Sequence, residues 1–239
     1  MNREHHRWYS PSLGRDMDLL VFGHAGARAI VFPTSMGRFF EWEDQGMIRT
    51  LGEALERGWL QLYCVDSVDE DSWYAKWKWP GDRAYRHVQY DAYLRDEVLP
   101  LTRQKNGNPF LMTMGASFGA YHAMSFGLRY PDVVDRVIGL SGMYDIRENT
   151  QGYSDPNVYH HNPAAFIPGE SDPERLRALA HVQIVMAIGR DDPMRWSNED
   201  FSGKLWSKGI WHALRIWDGW AHDWPYWREM IRVYVNGPD

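Results

Sequence analysis

Cysteine is almost absent from this chain: Cys64 is the only one in 239 residues. A lone cysteine excludes an internal disulfide framework and any cysteine-based zinc site. Long apolar runs are also missing. No stretch of 18 apolar residues occurs, and the first ten residues hold no apolar core of a secretory signal, so neither a membrane span nor export is expected and the chain reads as cytoplasmic. A basic surplus is lacking too: 26 Lys and Arg face 32 Asp and Glu, for a net charge of −6. Neither nucleic acid nor an anionic membrane is an expected partner. Repeats, low-complexity tracts, charge blocks and Pro/Gly/Ser linkers do not occur. Residues 1–239 therefore read as one domain, long enough to bury a core without staples.

What the chain has in excess is tryptophan. Its 13 residues cluster at Trp73, Trp77 and Trp79 and again at Trp217, Trp220, Trp224 and Trp227. Clustered aromatics mean a large buried payload, a ligand wall, or both.

Hydrophobic patterning predicts strands at 16–22, 29–32, 60–65, 110–114, 134–140, 183–188 and 213–217, with His5 and His6 on a solvated strand before them. Helices are predicted at 43–57, 86–104, 118–130 and from Trp224 to about 235. Short apolar strands alternating with longer helices imply an α/β architecture, a mostly parallel sheet covered on both faces. The first strands are joined by short turns, so the N-terminal edge is expected to be antiparallel. In such sheets the chemistry sits at the carboxyl ends of the strands.

Directly after the 110–114 strand stands Gly115-Ala116-Ser117-Phe118-Gly119, a G-x-S-x-G turn leading into a helix. Small residues two positions either side of the serine let strand and helix approach, and the turn lifts the hydroxyl above the sheet. Ser117 is thus a candidate nucleophile. Chain order on this fold places an acid next and a histidine last. After the 183–188 strand come Asp191 and Asp192. Asp192 is preferred because it stands just before Pro193, which rigidifies the turn. After the 213–217 strand comes His222, the one histidine near that strand end; His181 and His212 precede their strands. In the expected mechanism His222 takes the Ser117 proton as the oxygen attacks an ester carbonyl, and Asp192 orients the imidazole. The oxyanion needs two backbone donors. One is Phe118 N–H, and the other is expected from Pro33-Thr34-Ser35-Met36-Gly37, with Ser35 at the donor position and Met36 beside it.

These motifs together resemble the esterase D-like branch of the α/β-hydrolases, which includes S-formylglutathione hydrolases, feruloyl esterases and mycolyl-transferases. Tyr9-Ser10-Pro11-Ser12-Leu13-Gly14-Arg15-Asp16 is similar to the opening strand of the mycolyl-transferases. Glu97-Val98-Leu99-Pro100 and Phe126-Gly127-Leu128-Arg129-Tyr130-Pro131, either side of the elbow, also fit. The resemblance spans nearly the whole chain and implies an α/β-hydrolase fold and a serine carboxylesterase acting on small to medium esters. It implies no cofactor and no metal. It also puts Trp73, Tyr74 and Trp79 on an aromatic loop at the active end, either as candidate substrate-binding residues with Met36, or as a small core that holds the loop in place, or as both. The chain departs from the family in reading Pro33-Thr34 where relatives carry His-Gly or Asp-Gly.

The remaining residues take supporting roles. His122, on the elbow helix, is expected to support the site and not to react. Ser141 lacks elbow spacing and reads as structural or pocket-lining. Asp223 is expected to cap the final helix. His160 and His161 fall in 144–170, a candidate lid or specificity segment, and lack the neighbours a metal site needs. The same serine site would also serve thioester hydrolysis or acyl transfer. A catalytically silent hydrolase fold used for binding is the reading from another class.

Overall fold

The computed structural model of the chain describes residues 1–235, so the last four positions of the expected 1–239 domain lie outside the described residues. Its strands are β1 (Arg3–Ser10), β2 (Arg15–Phe22), β3 (Ala27–Phe32), β4 (Leu60–Val65), β5 (Leu111–Ala116), β6 (Arg136–Leu140), β7 (Gln183–Gly189) and β8 (His212–Trp217). They form one sheet in the order β1-β2-β4-β3-β5-β6-β7-β8. The β1–β2 and β2–β4 pairs are antiparallel. The rest of the sheet is parallel.

The helices are α1 (Glu41–Asp44), α2 (Met47–Thr50), α3 (Gly52–Glu56), α4 (Pro80–Tyr93), α5 (Leu99–Lys105), α6 (Phe118–Arg129), α7 (Pro156–His160), α8 (Pro163–Gly169), α9 (Pro173–His181), α10 (Arg195–Ser207) and α11 (Trp224–Tyr234). Strand side chains alternate between two cores, as the two-residue period of a strand requires. Tyr63 and Val65 of β4 face a core shared with α4, α6, α9 and α10 through Tyr90, Ala123, Leu179 and Phe201. Leu62 and Cys64 face the opposite core, closed by Trp42, Met47 and Leu55 of α1–α3 and by Trp227 and Ile231 of α11.

Three expectations are corrected. The helix predicted over 43–57 is three short helices, because Gly46 takes a left-handed conformation at φ +74° and starts a new turn. The helix predicted over 86–104 begins earlier, at Pro80, where a missing N–H costs nothing. It also widens into a π turn over Leu94–Val98. That widening falls just before Pro100, which cannot donate to the carbonyl four residues back. Helices α7 to α10 were not expected. The first three are short, yet each opens on Asp-Pro or Asn-Pro (155–156, 162–163, 172–173), and Asp155 and Asp172 cap theirs through the side chain.

The 144–170 segment lies over α6. Ile146 and Val158 pack with Trp73, Phe118 and Tyr121. His161 is buried, donates from Nδ1 to the Asn157 carbonyl at 2.7 Å, and accepts from Arg129 at Nε2. Burial, reinforced by the Arg129 charge, pulls its pKa down to about 3. Burial likewise holds the neighbouring His87 well below the ordinary histidine range. Between the ordinary value of 6.5 and about 3, the unfolded chain binds a proton that folded His161 excludes. Stability is therefore lost as pH falls through that window. Melting temperature measured from pH 7 to pH 4 is expected to drop, and to drop less steeply in His161→Gln. An equally steep fall in the variant would remove His161 as a cause.

Candidate active site

β5 ends at Ala116, and Ser117 turns the chain into α6 with φ +53° and ψ −121°. A non-glycine residue in that region is strained and persists only where its surroundings hold it. The Ser117 N–H donates to the Leu140 carbonyl of β6 at 2.8 Å. The flanking glycines are required by space. A Cβ on Gly115 would sit 2.3 Å from the Gly119 backbone, and one on Gly119 would sit 2.4 Å from the Pro33 carbonyl oxygen.

The structure brings Ser117, His222 and Asp192 together. His222 Nδ1 donates to Asp192 Oδ2 at 2.6 Å, and Ser117 Oγ donates to His222 Nε2 at 3.2 Å. Asp192 is buried, and its second oxygen accepts the Met194 N–H at 2.8 Å. Asp191 points outward and makes no such contact; its backbone N–H donates to the Gly219 carbonyl at 3.0 Å. Asp223 caps α11 by accepting from Trp224 N–H.

The His222 loop is held from both sides. Ser141 Oγ donates to the Ala221 carbonyl at 3.0 Å and accepts from Trp227 Nε1 at 3.0 Å. Gly189 lies so close that a Cβ there would sit 2.0 Å from the Trp220 carbonyl oxygen. Half-exposed Trp220 stacks on the His222 ring, with centroids 5.7 Å apart and planes 23° apart.

Phe118 is the first residue of α6, where a backbone N–H has no intrahelical acceptor. The facing turn has no glycine at Thr34 and is held by carboxylates. Glu41 accepts from both Thr34 N–H and Thr34 Oγ at 2.7 Å, and Asp69 accepts from Met36 N–H at 3.2 Å. Burial raises the Glu41 pKa, and the Thr34 donors offset part of the rise. Met36 absorbs the bend at φ +60°. The Ser35 N–H donates to no protein acceptor among the described residues, while its Oγ accepts from Tyr74 at 2.7 Å.

The expected substrate wall divides. Met36 is 47% exposed. Tyr74 stands edge-on to Phe118 with centroids 5.0 Å apart. Trp79 points outward beside Tyr153. Trp73 is the correction: it is fully buried against His87 and cannot meet a substrate, because the loop turns its ring inward onto a small core shared with α4, α6 and the 144–170 segment. Sequence reasoning missed a cavity of about 610 Å³ that begins one residue past Asp192. Pro193, Met194 and Trp196 line one side, and Met143, Asp145 and Arg147 the other. It also missed Glu41 and Asp69, although Asp69 was legible as a carboxylate just past a strand's carboxyl end. Neither that cavity nor a second one of about 620 Å³, beside Met1 and α1–α3, is lined by Ser117, Asp192 or His222. Among the described residues, no group of three or more His, Cys, Asp or Glu side chains could hold a metal, and no helix is long and apolar enough to cross a membrane.

The strand order, the elbow after β5 and the loops after β7 and β8 define an α/β-hydrolase fold. Solved structures share it over almost the full length. A ferulic acid esterase superposes with a TM-score of 0.79 at 17% identity, covering 98% of this chain and 96% of that one. An S-formylglutathione hydrolase from Agrobacterium tumefaciens gives 0.77 at 14% identity, covering 98% and 92%. MPT51 of Mycobacterium tuberculosis gives 0.68 at 18% identity, covering 98% and 96%. No curated protein matches the sequence. Residues 49–234 match the Esterase family, described as "Putative esterase". The chain belongs to that family and is a carboxylic ester hydrolase.

Gly119→Ala tests the elbow. Overpacking of this kind costs about 1–3 kcal/mol, or roughly 3–10 °C in a domain of this size. Calorimetry is expected to show that loss together with lowered activity. An unchanged melting temperature would mean that α6 can move away from β3.

Proposed function

We propose that this protein hydrolyses small to medium carboxylic esters through an acyl-enzyme formed on Ser117. The observation that carries the reading is the continuous hydrogen-bond chain Ser117–His222–Asp192 at the carboxyl ends of β5, β7 and β8. His222 accepts the Ser117 proton as Oγ attacks the carbonyl carbon. The Asp192 carboxylate holds the imidazole tautomer and stabilises the imidazolium. The oxyanion is received by Phe118 N–H and Ser35 N–H. His222 then returns its proton to the leaving alcohol, and afterwards takes one from the water that attacks the acyl-enzyme.

The 610 Å³ cavity, whose wall includes Pro193 and Met194 directly after Asp192, would take a substrate group of moderate size. Met143, Met194 and Trp196 supply an apolar lining and Asp145 and Arg147 a polar edge. The 144–152 stretch is then the part of the expected specificity segment that sets chain-length preference. Met36 and Tyr74 stand by the 33–37 turn, and Trp220 stacks on His222. Acyl transfer would use the same groups with an alcohol replacing water.

Hydrolysis of p-nitrophenyl esters from acetate to decanoate tests the proposal. Rates are expected to peak at short or middle chain length. Ser117→Ala should lose at least about 10⁴-fold in kcat. Full activity in Ser117→Ala, or a phosphonate that fails to label the folded wild type, would overturn the reading. The choice of acid has its own test. Asp192→Asn is expected to lower kcat by about 10⁴-fold, with Asp191→Asn near wild type; the opposite order would move the acid to Asp191.

A further inference from the structure

Asp69 lies four residues beyond the end of β4 and has no exposed surface. A buried carboxylate is tolerated only where partners replace its water. Here each oxygen has one, and the two come from different parts of the chain. Oδ1 accepts from His122 Nε2 at 2.9 Å, and Oδ2 accepts from Met36 N–H at 3.2 Å. The backbone carbonyl of Asp69 also accepts the Tyr74 N–H at 3.0 Å. Tyr74 in turn donates its hydroxyl to Ser35 Oγ at 2.7 Å. Ser35 is thus fixed from two directions by one residue: through the amide that follows it and through the phenol that grips its side chain.

His122 carries the same contact to the other donor. It sits one turn after Phe118 on α6 and is almost fully buried. Its ring stands edge-on to Phe118, with centroids 5.0 Å apart, and stacks on Phe32 at 5.8 Å, just before the 33–37 turn.

We propose that Asp69 and His122 are positioning residues that set the spacing between the Ser35 and Phe118 amides, and so the shape of the oxyanion site. The inference rests on the esterase reading above. Neither side chain touches substrate. The pair matters because the turn carries Pro33-Thr34 in place of a glycine-led loop. Its donor is aimed by hydrogen bonds from outside the turn, and a displacement of about 1 Å at such a site costs on the order of 10²-fold in rate.

The test uses the full chain and the best p-nitrophenyl ester of the series. It measures kcat and KM separately, the affinity for a trifluoromethyl ketone that forms a tetrahedral adduct, and the melting temperature. Asp69→Ala is expected to lower kcat by about 10- to 100-fold with KM within about twofold, and to weaken ketone binding by a similar factor. Asp69→Asn keeps an acceptor for Met36 N–H and weakens the His122 contact, so it should fall between wild type and Asp69→Ala. A role in packing alone would lower the melting temperature and leave kcat and ketone affinity at wild-type values; that result overturns the proposal. So does a rise in KM at constant kcat. If Asp69→Ala does not fold, Asp69→Asn decides: a loss of about 3- to 10-fold in kcat, matched in ketone affinity, supports the pair, and wild-type values overturn it. Ser117→Ala, run in parallel, separates the two layers. Hydrolysis that survives in Ser117→Ala sinks the esterase reading itself. Hydrolysis lost there but untouched in Asp69→Ala sinks only the positioning pair.

Discussion

Gly119 lies against the carbonyl oxygens of Phe32 and Pro33, with room for a hydrogen but none for a methyl group. This approach makes the start of α6 and the end of β3 neighbours, and the arrangement at the active end of the sheet follows from it. Gly115 faces Gly119 in the same tight layer, so the elbow closes over two glycines with Ser117 between them. The strained Ser117 backbone is held by its bond to Leu140 on the adjoining strand. The Phe118 amide and the 33–37 turn then lie on either side of one backbone contact.

A second device recurs around this centre. A carboxylate accepts a backbone amide of a loop and takes a second donor with its remaining capacity. Asp192 accepts from Met194 N–H and from His222. Asp69 accepts from Met36 N–H and from His122. Asp66 accepts from Phe39 N–H and pairs with Arg38. Glu41 accepts both Thr34 donors. Each carboxylate satisfies a loop amide; Asp69, Asp66 and Glu41 thereby tie the 34–39 stretch to neighbouring segments, and Asp192 joins its own loop to His222. Carboxylates thereby do for the 33–37 turn what glycine-rich sequence does by conformational freedom.

The tryptophan surplus has no single purpose. Trp42 and Trp73 are core residues, and Trp227 is a buried donor to Ser141. Trp79, Trp196 and Trp220 are exposed, with Trp220 over His222 and Trp196 on the cavity wall. Counting aromatics along the chain cannot separate these uses, because burial depends on which way each loop turns.

The sequence by itself determined what local pattern and chain order can encode. Short apolar runs announced the strands, and helical spacing announced the helices around 86–104, 118–130 and after Trp224. The spacing of Gly115, Ser117 and Gly119 announced the elbow. The order of strand ends pointed to the Asp191–Asp192 pair and to His222. Features that depend on contacts between distant segments were decided only by the tertiary structure. Gly46 broke a helix that periodicity alone would continue. Trp73 turned inward. Asp69, with no motif of its own, met His122 from 53 positions away and Met36 from 33 positions away. A hydrogen bond between remote segments leaves no trace in local spacing, because only folding brings its partners within 3 Å or so of each other.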